Sequence, residues 1–105
     1  MDKRRLRQVR SLMREVIEME ERQMRLACFD LTAPDADEEL KRRLRDEIGA
    51  VEGFIRQIED SMTRRAFRLR YLDGLSWEQI ARRMGYANDS GARMLCRRYL
   101  EKNGS

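Results

Sequence analysis

The thirteen residues Gly74-Leu75-Ser76-Trp77-Glu78-Gln79-Ile80-Ala81-Arg82-Arg83-Met84-Gly85-Tyr86 carry the signals that start, stop and turn a short helix. Ser76 followed three positions later by Gln79 is a capping box, in which each side chain satisfies an amide of the other residue. Trp77, Ile80, Ala81 and Met84 recur at helical spacing and face inward. Gly85 supplies a left-handed backbone that other residues resist, so the helix ends there. Tyr86 then fills the space before the next helix, and Ala81 is small enough to let that helix approach. Asn88 or Asp89 caps this next helix, which carries Ala92, Leu95, Cys96, Tyr99 and Leu100 on one side. With Asp89 as cap, Ser90, Arg93, Met94 and Arg97 face outward from its first two turns. A short helix, a glycine-led turn and a second helix with arginines on its free face read as a helix-turn-helix.

Working towards the N-terminus, Asp60 or Ser61 caps a preceding helix that runs to about Asp73, with Gly74 as its stop. Residues 3–28 predict a long first helix with Leu6, Val9, Met13, Val16, Ile17, Met24 and Ala27 on its apolar side. Glu20 and Gln23 interrupt that stripe. Pro34 breaks the chain within residues 29–36, and Asp35 with Glu38 makes a box-like start for a second helix from Ala36 to Glu59. Leu40, Leu44, Ile48, Val51, Ile55 and Ile58 form a seam with coiled-coil spacing. Gly49 and Gly53 lie within it and suggest close approach of another helix. The seam has more apolar positions than the first stripe can cover. These six residues are therefore the expected oligomer interface, with a dimer favoured. The predicted fold is all-α: an antiparallel helical hairpin over residues 1–59, followed by a three-helix helix-turn-helix unit over residues 60–105.

Composition narrows the function. Of 105 residues, 40% are charged and 41% apolar, with one proline, which excludes collagen-like and Pro/Gly-rich chains. No apolar run approaches the roughly 20 residues of a membrane span, and no signal peptide is recognisable, so a cytoplasmic protein without a membrane partner is expected. Histidine is absent, which removes the commonest general base and transition-metal ligand. Cys28 and Cys96 are far apart and are read as reduced thiols. No nucleotide-binding, nucleophile-elbow or zinc-protease motif occurs. The chain is therefore read as a non-enzyme that needs no cofactor and no metal.

Charge is unevenly distributed. Residues 1–28 sum to +3, residues 29–60 to −5, and residues 61–105 to +6. Nine of the 20 arginines lie beyond residue 60 with few acids to pair with, which points to a polyanion. Ser90, Arg93, Met94 and Arg97 are the expected base contacts, since the arginine fork matches the O6/N7 edge of guanine. Arg64, Arg65, Arg82, Arg83 and Arg98 are the expected phosphate contacts, together with the amides at Ser76, Trp77 and Glu78. The Trp77 ring is expected to pack at the helix junction rather than to stack on a base. The basic block at residues 3–10 is read as a neutraliser of the acidic second helix in preference to a DNA-binding arm.

Residues 68–86, RLRYLDGLSWEQIARRMGY, resemble the helix-turn-helix of region four of bacterial sigma factors. Arg70 to Ser76, Glu78 to Ala81 and Met84 to Tyr86 carry the match, which extends over residues 58–101. The preceding helical hairpin is similar in architecture to small phage and mobile-element proteins, including late-gene transcription activators of the ArpU and RinA type. One departure stands out: Gly91 occupies the place of an aliphatic anchor, and Ala92 takes that role. The resemblance implies a transcriptional regulator of phage or mobile-element origin that binds double-stranded DNA, with RNA polymerase as a second partner. It does not imply a complete sigma factor. Two rival readings are a small terminase-like packaging protein and an interaction module that contacts polymerase without reading DNA.

Overall fold

The computed structural model describes residues 1–103 and is all-α. The helices are α1 (Lys3–Ala27), α2 (Asp35–Arg56), α3 (Ser61–Phe67), α4 (Trp77–Met84) and α5 (Ser90–Asn103). Between α3 and α4 the chain makes a π-helical turn over Arg68–Leu72. The molecule measures 54 × 28 × 19 Å.

Each helix begins and ends for a local reason. Asp2 caps α1 by accepting from the Arg5 amide at 2.9 Å. Asp60 caps α3, accepting from both the amide and the hydroxyl of Thr63 at 2.9 and 2.8 Å. This satisfies the buried threonine, and the two bonds hold the Asp60 carboxyl below its ordinary range. The capping box of Ser76 and Gln79 is complete in both directions. Gly74 and Gly85 take φ of 76° and 79°, a region that costs other residues roughly 1–2 kcal/mol.

Four expectations about helix boundaries are corrected. Asp35 lies inside α2 rather than capping it: Pro34 occupies the cap position and makes no side-chain bond there. Glu38 consequently forms no capping box and turns to Lys41 and Gln23. The helix stops at Arg56, three residues before Glu59, where the Gln57 amide closes it on the Gly53 carbonyl. The third helix does not stay α-helical to Asp73. Its last turn widens into the π segment, in which the Asp73 amide reaches back five residues to the Arg68 carbonyl at 3.0 Å.

α1 and α2 run in opposite directions along each other, tied by Arg5–Glu47 at 2.7 Å near one end and Arg22–Asp37 near the other. The Arg5 hydrogen bond holds the Glu47 carboxyl below its ordinary range. Between them Lys41, almost fully buried, is satisfied by Gln23 at 2.7 Å and Glu38 at 3.2 Å.

The apolar seam of α2 closes within the chain. Ile48, Val51, Ile55 and Ile58 are buried in one cluster with Leu6, Val9 and Val16 of α1, while Leu40 and Leu44 are half-buried. Packing within the chain thus accounts for four of the six expected interface positions, and Leu40 and Leu44 keep part of their surface outside. The covering helix leaves part of its own expected stripe outside: Ile17 is 55% and Met24 71% exposed, and Ala27 is exposed too. Gly49 and Gly53 correspondingly face open space, with nothing within 4 Å of where a side chain would begin. The close approach expected there is absent from the described residues.

The same buried cluster continues through Ala66, Phe67, Leu69 and Tyr71 to Ile80, Ala92 and Cys96. The boundary expected between residues 59 and 60 is thus a turn of the chain crossed by shared packing. Phe54 of α2 reaches both Phe67 and Tyr99, with ring centroids 6.0 and 5.8 Å away, and Phe67 meets Tyr99 at 5.5 Å. Edge-on aromatic pairs of this kind each contribute about 0.5–1.5 kcal/mol beyond area burial. They fix α5 against both α2 and α3.

Candidate functional site

The joint between α4 and α5 sets what α5 can present. Ile80 and Ala81 of α4 are buried, and Ala92 and Cys96 of α5 are 0% and 2% exposed. Gly85 turns the chain, and the Tyr86 ring then lies so close to Gly91 that a side chain there would begin 2.6 Å from it. Gly91 is thus the residue that admits the tyrosine, and Ala92 supplies the apolar contact. At the start of α5, Asn88 provides the local bond, accepting from the Ser90 amide at 2.9 Å. Asp89 pairs instead with Arg93 at 3.3 Å.

With Ala92 and Cys96 inward, Ser90, Arg93, Arg97 and Arg98 are exposed and Met94 is half-buried. Arg97 lies 3.1 Å from the Met94 sulfur and 3.8 Å from Glu101. The ion pairs of Arg93 with Asp89 and of Arg97 with Glu101 are long and solvent-facing, so they hold the arginines only weakly. Burial pushes the Cys96 thiol up to about 12, leaving it protonated and unreactive at neutral pH, while Cys28 is exposed and also free.

The expected phosphate contacts divide. Arg82 and Arg83 on α4 and Arg98 on α5 are exposed and make no ion pair among the described residues. Arg65 is half-buried on α3. Arg64 is committed elsewhere: it donates to the Ile58 and Glu59 carbonyls at 2.8 and 3.3 Å and so closes the α2–α3 turn. The Ser76 amide is also committed, to the Gln79 carboxamide at 2.9 Å. That leaves the Trp77 and Glu78 amides as the first-turn donors outside the box.

Trp77 is half-buried, as a residue at the helix junction should be, and two guanidinium groups lie over its ring. Arg70 is 4.8 Å and Arg93 5.8 Å from the ring centroid. Arg70 comes from the π segment and also donates to the Leu75 carbonyl at 3.1 Å. Beside these groups lies a groove of about 700 Å³, bounded by α5, the π segment, the start of α4 and the first half of α1. Six basic side chains line it against two acidic ones.

Lys3, Arg7, Arg10 and Arg70 are the basic lining residues that the sequence did not assign to a site. The basic block of α1 is split by its helical phase: Arg5 turns to Glu47 on α2, whereas Arg7 and Arg10 turn to the groove. The Arg10 guanidinium sits on Gly74, where any side chain would overlap it. A signal for this was present in the sequence, since a stop glycine without a Cβ offers a flat seat for a long side chain. Which residue takes that seat depends on how α1 crosses the turn.

No described helix is long and apolar enough to cross a membrane. Compared with protein-family models, with curated proteins and with solved structures, the chain matches none of them.

Proposed function

We propose that the chain is a sequence-specific DNA-binding regulator of transcription, in which α1 and α2 form a helical hairpin and α3 to α5 a sigma-region-four-like helix-turn-helix. α5 is the recognition helix and enters the major groove. The observation that carries this reading is the division of α5 into two sides: Ala92 and Cys96 are buried, while Arg93, Arg97 and Arg98 are exposed on its remaining surface. A helix held rigidly by packing, with forked donors on its free side, meets the geometric need of base readout. Arg82 and Arg83 lie on the adjacent helix, where a duplex held by α5 would present its phosphates.

Selection of bound sequences from a random duplex pool tests this. Enrichment of one short motif supports a regulator, and a palindromic motif indicates that two copies act together. Duplex binding with no enriched motif, by a ring-shaped assembly, favours the packaging alternative. Binding to RNA polymerase with no retention of duplex favours the interaction module.

A further inference from the structure

The groove between α1 and α5 has an unusual charge balance. Arg7 and Arg10 stand one turn apart on α1, and Arg93 and Arg97 stand one turn apart on α5, with Arg70 lining the groove beside Trp77. Among the described residues, Arg7, Arg10 and Arg70 form no ion pair, although carboxylates elsewhere pair with Arg5, Arg22, Arg42 and Arg45. Like charges gathered in a concavity repel one another, and its low-dielectric walls focus their field outward. Asp89 and Glu101 engage Arg93 and Arg97 only through long, exposed contacts, so positive charge stays in excess here. Arg7 and Arg10 on α1 extend the basic lining beyond the base-reading Arg93 and Arg97, and their guanidinium forks suit the phosphates of a linear polyanion.

We propose that this groove holds the sugar-phosphate backbone of double-stranded DNA, with Arg7 and Arg10 of α1 as phosphate contacts beside the segment that α5 enters. The proposal rests on the DNA-binding reading and adds that the first half of α1 belongs to the DNA-contacting surface. α1 then has two functions along one helix. Leu6, Val9 and Val16 on one side cover the α2 seam, and Arg7 and Arg10 on another side of the first half grip the duplex.

The test is the salt dependence of binding to a random-sequence duplex and to a selected duplex, with polyglutamate as the competing polyanion. The double variant R7Q/R10Q should bind both duplexes roughly ten-fold or more weakly at ~0.1 M salt, with the salt slope reduced by about two counterions. Base preference should not change. Arg7→Gln alone leaves the Arg10–Gly74 contact in place and should give about half the change in slope. The control R25Q/R43Q, which removes the same charge from exposed positions outside the groove, should stay within about two-fold of wild type. If R7Q/R10Q matches this control while wild type binds duplex, the groove proposal is wrong and the DNA-binding reading stands. Loss of polyglutamate binding alone would overturn it in favour of an acidic polypeptide. If wild type retains no duplex at all, the reading itself fails and the groove proposal falls with it.

Discussion

The α4–α5 joint and the outer face of α2 both contain glycines in helical surroundings, yet they answer to different causes. At the joint, Gly85 has a backbone only glycine adopts readily, and Gly91 makes room for the Tyr86 ring. On α2, Gly49 and Gly53 have no such neighbour and no unusual conformation. The first pair is explained inside the chain. The second pair is not, which teaches that a glycine's spacing alone does not reveal whether another helix lies against it.

The largest effect separates the inside of α2 from its outside. Ile55→Asp would place an unpaired carboxylate in the cluster shared with α1, at a cost of about 3–5 kcal/mol. Denaturant unfolding should show the same loss at low and high protein concentration, because the seam closes within the chain. A loss that shrinks with concentration would show that a second copy shares it.

At the joint, Gly91→Ala forces the Tyr86 ring to move and should cost about 1–3 kcal/mol. Gly85→Ala should cost about 1–2 kcal/mol through its backbone alone. Thermal melts of the two variants check both values, and neutral behaviour at either site would break the contrast between the joint and α2. Gly49→Ala and Gly53→Ala should act with the opposite sign, each stabilising the protein by up to ~1 kcal/mol. If either instead weakens a measured self-association, that face is an interface.

The smallest effect is electrostatic. Asp60 is held below its ordinary value of 3.8 by the Thr63 amide and hydroxyl, and Glu47 below 4.5 by Arg5. Each therefore contributes stability that is complete above those ordinary values and is lost as pH falls through the lower, folded ones. Asp60→Asn should lower stability at neutral pH, where the charged form contributes fully, and flatten the acid limb of the profile below about pH 4, where the two proteins converge. An unchanged acid limb would show that the cap bonds do not favour the charged form.

What was legible in the sequence was local. The capping box at Ser76 and Gln79, the left-handed Gly85, the inward Ala92 and the cap at Asp60 each have their cause within a few residues, and all are present. The π segment was not legible, because Arg68–Leu72 has ordinary helical composition and its widened turn is fixed by packing against α1 and α4. Nor was the fate of the seam. Leu40 to Ile58 reads as a partner-seeking stripe, and only the placement of α1 shows that Leu6, Val9 and Val16 cover most of it. The groove escaped notice for the same reason, since Arg7, Arg70 and Arg97 are remote in sequence and meet only through the fold.

The central claim, that α5 reads base edges, is tested most directly by base preference in single alanine variants. Arg93→Ala, Arg97→Ala and Arg98→Ala would each be measured against the selected duplex and its single-base changes, with Arg82→Ala as the phosphate reference. At least one α5 variant should lose ~1–3 kcal/mol on the selected site and relax preference at one base pair. Arg82→Ala should weaken all duplexes alike and lower the salt slope by about one counterion. If all three α5 variants keep both the affinity and the base preference of wild type, this helix does not read the major groove and the account is contradicted.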